Sequence, residues 1–152
     1  MQHCYFVMQA NLPDGIFKTA RFLIVDDEIS NVRVLEHMLE DWGCRQVRST
    51  LDSRQTADLF REFEPDIVLL DWMMPHLNGL QVMELLGPLI APDDFLPILI
   101  LTADTSDHIK RLALEQGAAD FLTKPFDAVE LSLRVQNLLV RRVLHRQLQD
   151  QN

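Results

Sequence analysis

Ile67-Val68-Leu69-Leu70-Asp71-Trp72-Met73-Met74-Pro75 is the stretch on which the reading of the fold turns. Its four leading apolar residues fit a strand covered on both faces, as in a parallel sheet. The run ends in a carboxylate, which is costly to bury without a charge partner. Upstream, Phe22-Leu23-Ile24-Val25 has the same form and ends in Asp26-Asp27. Two such strands side by side gather three carboxylates at one edge of a sheet. That arrangement calls for a divalent cation and leaves one carboxylate free for chemistry.

Working outward, apolar strand-like runs alternate with helical periodicity from residue 20 onward. Strands are predicted over 21–26, 44–49, 66–70, 98–101 and 119–123, with 44–49 more polar and suited to a sheet edge. Helices are predicted over 30–42, with Val32, Leu35 and Leu39 on one face and Gly43 as the stop, and from Asp52 or Ser53, either of which could cap, to just before Pro65. A short helix follows Asn78-Gly79 with Leu80, Met83 and Leu86 inward and breaks at Gly87-Pro88. Others run over 106–116 and from about 127 with no stop signal. The loop 88–97 is unusual in holding Asp93-Asp94 between apolar residues. Leu12-Pro13-Asp14-Gly15 reads as a turn within an N-terminal extension, 1–19, of uncertain order.

Five strands alternating with five helices imply an α/β domain, a parallel sheet with helices on both faces and right-handed crossovers. Ligands bind such sheets beyond the carboxyl ends of the strands. Asp26, Asp27, Asp71, Thr102 and Lys124 all fall at or just after those ends.

The bulk numbers agree with a single domain: 152 residues, 47% hydrophobic, enough for an adequate core. The net charge of −9 argues against nonspecific nucleic-acid binding, which needs a basic surface. Cys4 and Cys44 match no metal or redox spacing, so reduced thiols and a cytoplasmic setting are expected. No apolar run approaches the roughly 20 residues of a membrane span, and the first residues lack the pattern of a secretory signal.

Oxygen ligands on separate loops, with room for water, suit magnesium better than zinc. Lys124, in Thr123-Lys124-Pro125-Phe126, supplies a fixed positive charge, and Thr102 a hydroxyl. A metal, an ammonium and a hydroxyl around Asp71 would stabilise three oxygens of a phosphoryl group transferred to its carboxylate.

Here the chain resembles the receiver domains of bacterial two-component response regulators. The matching segments are Val25-Asp26-Asp27-Glu28, Leu70-Asp71-Trp72-Met73-Met74-Pro75, Asn78-Gly79, Leu101-Thr102-Ala103 and Thr123-Lys124-Pro125-Phe126. They span about 20 to 140, and five in order at this spacing are specific where each alone is weak. The resemblance implies a flavodoxin-like (βα)5 fold with strand order 2-1-3-4-5. It makes Asp71 the phosphoacceptor and Asp27 a direct magnesium ligand, with Asp26 reaching the ion through water and the Met73 backbone carbonyl completing the protein ligands. Lys124 would pair with phosphoryl oxygens, Thr102 would move to bond them, and Phe121 holds the aromatic switch position. A cis Lys124-Pro125 bond is expected. Met73 and Asp104 stand where the family tunes water access to the acyl phosphate. The implied module is no enzyme in the ordinary sense, catalysing only its own phosphorylation and dephosphorylation.

The same resemblance implies a sensor histidine kinase or phosphotransfer protein as partner. It also implies a homodimer face on the fourth helix, fifth strand and last helix, where Arg134, Asp120 and Glu130 are either charges paired across a twofold axis or solvated charges. Residues 20–140 would form the receiver and 141–152 a continuation of the last helix toward an absent output domain. Leu144-His145-Arg146-Gln147-Leu148-Gln149, with the Asp93-Asp94 loop, looks similar to receivers preceding phosphodiesterase domains of the HD-GYP type. No membrane contact and no direct nucleic-acid contact by this domain are expected.

Plainer roles compete residue by residue. Asp26 or Asp27 alone could cap the following helix, Thr102 could be an ordinary strand end, Lys124 a solvated lysine, and Phe121 core packing. Trp72 could simply pack beside the site. A metal-dependent phosphatase of the haloacid dehalogenase class also uses a strand-end aspartate, but wants a second aspartate where Met73 stands. A flavodoxin-like ligand module wants a phosphate-cradling loop after the first strand, where Asp26-Asp27-Glu28 would repel an anion.

Overall fold

Strands form where apolar runs can be covered from both sides. The computed structural model describes residues 15–104 and 106–151. Its strands are β1 (Arg21–Val25), β2 (Gln46–Thr50), β3 (Ile67–Asp71), β4 (Ile98–Thr102) and β5 (Asp120–Thr123). They pair in parallel in the order β2-β1-β3-β4-β5. The helices are α1 (Ile29–Asp41), α2 (Thr56–Phe63), α3 (Gly79–Leu86), α4 (Asp107–Glu115) and α5 (Ala128–Asp150), with short helical turns at Ile16–Thr19, Ser53–Gln55 and Gly87–Leu89. Residues 12–14 of the predicted turn, and the extension before them, lie outside the described residues. Among the described residues, no helix is long and apolar enough to cross a membrane.

Strand alternation sorts the core into two layers. Phe22, Ile24, Ile67, Leu69, Leu99, Leu101 and Leu122 face Val32, Leu35 and Leu39 of α1 and Leu131, Val135 and Leu139 of α5. Leu23, Val25, Val68, Leu70, Ile98, Ile100 and Phe121 face Phe60 of α2, Val82, Met83 and Leu86 of α3 and Ala113 of α4. Covered on both sides, β3 and β4 are buried at every residue, whereas the edge strand β2 is mostly open.

Several boundaries differ from the sequence reading for identifiable reasons. Asp71 and Thr102 are not beyond their strands but are the last residues of β3 and β4, paired with Leu101 and Thr123. Cys44 belongs to the turn closing α1: its N–H donates to Leu39 O at 2.9 Å, a turn that Gly43 permits at φ 87°. In α3, Met83 and Leu86 are buried as expected, but the third buried side chain is Val82, while Leu80 is only half-buried.

The last helix runs unbroken through residue 140 to Asp150, and its far end lies against the body of the domain. Arg142, only 5% exposed, donates to Asp66 at 3.1 Å, to Asp94 at 3.2 Å and to Phe95 O at 2.6 Å. Arg141 stacks over the Phe95 ring, 4.3 Å from its centre. His145 and Gln149 both reach the carbonyl of Asp93. The loop with its two aspartates is thus the seat of the helix end.

Candidate functional site

The β1–β3 register places Val25 beside Leu70, so the residues that follow, Asp26-Asp27 and Asp71, meet at one sheet edge. One carboxylate oxygen from each of Asp26, Asp27 and Asp71 lies within 4.8 Å of the other two. Asp26 and Asp71 are buried and Asp27 half-buried. Asp26 is fixed by its backbone: its N–H donates to Thr50 O at 3.3 Å, and its Oδ1 accepts from Glu28 N–H at 2.9 Å. Neither Asp26 nor Asp27 caps α1; Glu28 stands at that position and its side chain makes no capping bond.

Lys124 arrives from the end of β5, where its N–H donates to Thr102 O at 2.7 Å. The Lys124–Pro125 bond is cis. The ammonium donates to Asp26 Oδ2 at 2.8 Å and lies 3.7 Å from Asp71 Oδ1. Three carboxylates therefore face one ammonium, and the imbalance shows on Asp71. Its carboxyl is raised to about 6: burial pushes it up most, Lys124 pulls it down, Asp26 and Asp27 push it up, and the Met73 backbone N–H pulls it down. A cluster of hard oxygen donors with surplus negative charge is the chemistry a magnesium ion satisfies, so these residues fit that ion.

Thr102 is fully buried, its Oγ1 accepting Asp104 N–H at 3.3 Å. Phe121 packs in the layer facing α2, α3 and α4. The Met73 side chain is 62% exposed. Asp104 is committed to Ser106, accepting its N–H at 2.8 Å, which holds its carboxyl below the usual range. Trp72 packs in the core at 3% exposure. Arg134 pairs within its own chain, with Asp120 at 2.9 Å and Glu130 at 3.5 Å, so those charges already have partners before any second copy arrives.

Two residues escaped the sequence reading. A Cβ on Gly79 would lie 2.8 Å from Trp72 Cε3, 2.9 Å from Trp72 Cα and 3.1 Å from Asp71 O; only glycine lets α3 start this close to the strand end. Ser53 is no cap, because Asp52 takes that role toward Arg54 N–H at 3.0 Å. The Ser53 hydroxyl instead donates to Pro75 O and accepts Leu77 N–H, each at 3.0 Å. Nothing in the local sequence separates these uses from an ordinary helix start.

Comparison with known proteins adds to this geometry. A family model described as "Response regulator receiver domain" matches residues 22–136. "Probable transcriptional regulator ycf27" of Porphyridium aerugineum is 38% identical over 123 residues, covering 80% of this chain and 48% of that protein. "Alkaline phosphatase synthesis transcriptional regulatory protein PhoP" of Bacillus subtilis is 36% identical over 121 residues, covering 80% of this chain and 49% of that protein. The chain thus spans about half the length of the curated relatives it matches. Among solved structures, the Francisella response regulator 1452 receiver domain superposes with a TM-score of 0.72 at 29% identity, covering 81% of this chain and 98% of that one.

Proposed function

The chain belongs to the response regulator receiver family, and on that premise we propose that it accepts a phosphoryl group on Asp71 from a sensor histidine kinase or phosphotransfer protein. The observation that supports this reading is the convergence of Asp26, Asp27 and Asp71 with the Lys124 ammonium at one sheet edge. An Asp71 carboxylate oxygen attacks phosphorus. The new P–O bond forms as the donor's P–N bond breaks, and the leaving imidazole keeps the bond pair and takes up a proton. Carboxylates of Asp26, Asp27 and Asp71, with the Met73 backbone carbonyl, would hold Mg2+. When bound, the ion neutralises charge on the transferring group.

Lys124 then turns from Asp26 toward phosphoryl oxygens. The Thr102 hydroxyl already accepts one bond from Asp104, and its proton is available to another phosphoryl oxygen. Repositioning Thr102 and the buried Phe121 would carry the change to the face of α4, β5 and α5. The domain acts only on its own phosphorylation state. In this reading residues 20–140 are the receiver and the end of α5 leads toward an output domain. The relatives quoted above are described as transcriptional regulators rather than phosphodiesterases. The same α4, β5 and α5 face is the candidate homodimer surface.

The test is incubation with phosphoramidate and Mg2+. Acid-stable, base-labile label that requires Mg2+ and disappears in Asp71→Asn is expected. Label that persists in Asp71→Asn overturns the assignment.

A further inference from the structure

Residues 73–77, the loop between Asp71 and α3, carry the backbone carbonyl placed next to the metal in the reading above. Met73, Pro75 and His76 are exposed, and His76 adopts a left-handed φ of 69°. Such a loop needs an anchor to hold one shape. Among the described residues, the hydrogen bonds reaching residues 74–77 from outside the loop both end on one atom, Ser53 Oγ. Ser53 is 2% exposed, so these bonds are sheltered from water.

The frame behind Ser53 is the one that sets Asp26. Thr50 accepts the Asp26 N–H through its carbonyl. Its hydroxyl accepts Asp52 N–H at 3.1 Å and also lies 3.1 Å from Gln55 Oε1. The Ser53 carbonyl accepts the Thr56 hydroxyl at 2.8 Å. A continuous set of bonds thus runs from the Asp26 backbone through the end of β2 to Pro75 and Leu77.

We infer that Ser53 is a positioning residue for the magnesium site: by clamping Pro75 and Leu77 it fixes the loop that follows Asp71 in register with Asp26. The inference rests on the proposed phosphoacceptor function. Ser53 touches no reacting atom, and removing its hydroxyl leaves all three carboxylates in place. The expected deficit is therefore in metal affinity and loop order. Partners that orient a metal ligand from outside are worth about 10–100-fold in affinity.

The experiment follows Mg2+ binding to the wild type, Ser53→Ala and Ser53→Cys by tryptophan fluorescence, and hydrogen exchange at the Leu77 amide without metal. Ser53→Ala is expected to weaken Mg2+ binding about tenfold and to speed Leu77 exchange, with phosphorylation by phosphoramidate recovering at saturating Mg2+. Ser53→Cys keeps the volume but bonds weakly, and is expected to follow Ser53→Ala. Val135→Ala, a core change remote from the loop, provides the comparison: it lowers stability without changing Mg2+ affinity. Wild-type affinity in Ser53→Ala, or in Ser53→Cys alone, shows that the hydroxyl does not hold the site and overturns the inference while leaving the phosphoacceptor reading intact. A wild type that binds no Mg2+ overturns both.

Discussion

The ammonium of Lys124 sits closer to Asp26, at 2.8 Å, than to Asp71, at 3.7 Å. It is therefore first the counter-ion of a buried aspartate. Removing one member of a buried pair strands the other charge. Lys124→Ala is expected to lower the stability of the metal-free domain by on the order of 3 kcal/mol. Added Mg2+ should restore much of the loss, since it supplies the missing positive charge. Thermal unfolding with and without Mg2+ checks this; a loss that Mg2+ does not reduce would show that Lys124 acts by packing.

Asp71 gives a pH dependence with a definite sign. Its carboxyl is raised to about 6, chiefly by burial, so between the ordinary carboxylate value and 6 the folded state holds a proton that the unfolded state releases. The stability this contributes is complete below the unfolded value and lost as pH rises through about 6. Asp71→Asn stays neutral throughout. It should be more stable than the metal-free wild type above pH 6 by on the order of 1–2 kcal/mol after screening by nearby water, and indistinguishable near pH 3.8. Mg2+ competes with that proton, so wild-type affinity should fall as pH drops below 6. Equal stability of the two proteins at pH 7.5 would remove the argument for a strained carboxylate.

The sequence disclosed the parts of the site that lie along strands. Asp26, Asp27, Asp71 and Lys124 fall at or just after the ends of apolar runs, and a parallel sheet must align such ends, so their meeting was legible in the sequence. Ser53 and Gly79 were not legible in their roles, because those depend on the approach of one loop to another rather than on local pattern. Val82 was missed because α3 is apolar around much of its circumference, and spacing alone does not choose the buried face. The pairing of Arg142 was hidden for a further reason: Asp66 and Asp94 lie 76 and 48 residues away, and a polar helix end reads as solvated until its partners are placed.

Gly79 makes a prediction against propensity. Glycine near a helix start is intrinsically worse than alanine by up to about 1 kcal/mol, yet the added Cβ would meet Trp72 Cα at 2.9 Å and Asp71 O at 3.1 Å. Backbone cannot swing aside as a flexible side chain can. Gly79→Ala is therefore expected to destabilise by about 1–3 kcal/mol, the range for overpacking, and to weaken Mg2+ binding by displacing the strand end. Tryptophan emission should shift, with Trp72→Phe removing that part of the signal. A Gly79→Ala protein more stable than the wild type would show that the loop yields freely.

Arg142 decides whether the end of α5 is part of the domain or a free extension. Its guanidinium is buried between Asp66, which follows α2, and Asp94, in the loop before β4. Arg146 approaches the same Asp66 only at 3.9 Å and is half exposed. A solvated ion pair of that kind contributes about 0–1 kcal/mol, whereas breaking a buried one costs about 3–5 kcal/mol. Arg142→Ala should therefore destabilise the domain by on the order of 3 kcal/mol and free residues 143–150 to exchange their amides, while Arg146→Ala changes little. Urea unfolding and amide exchange separate the two outcomes. If Arg142→Ala leaves exchange in the last two turns unchanged, the contacts of Arg141, His145 and Gln149 with the 93–95 segment hold the helix end without it, and the seat of α5 is the loop carbonyls rather than the buried ion pair.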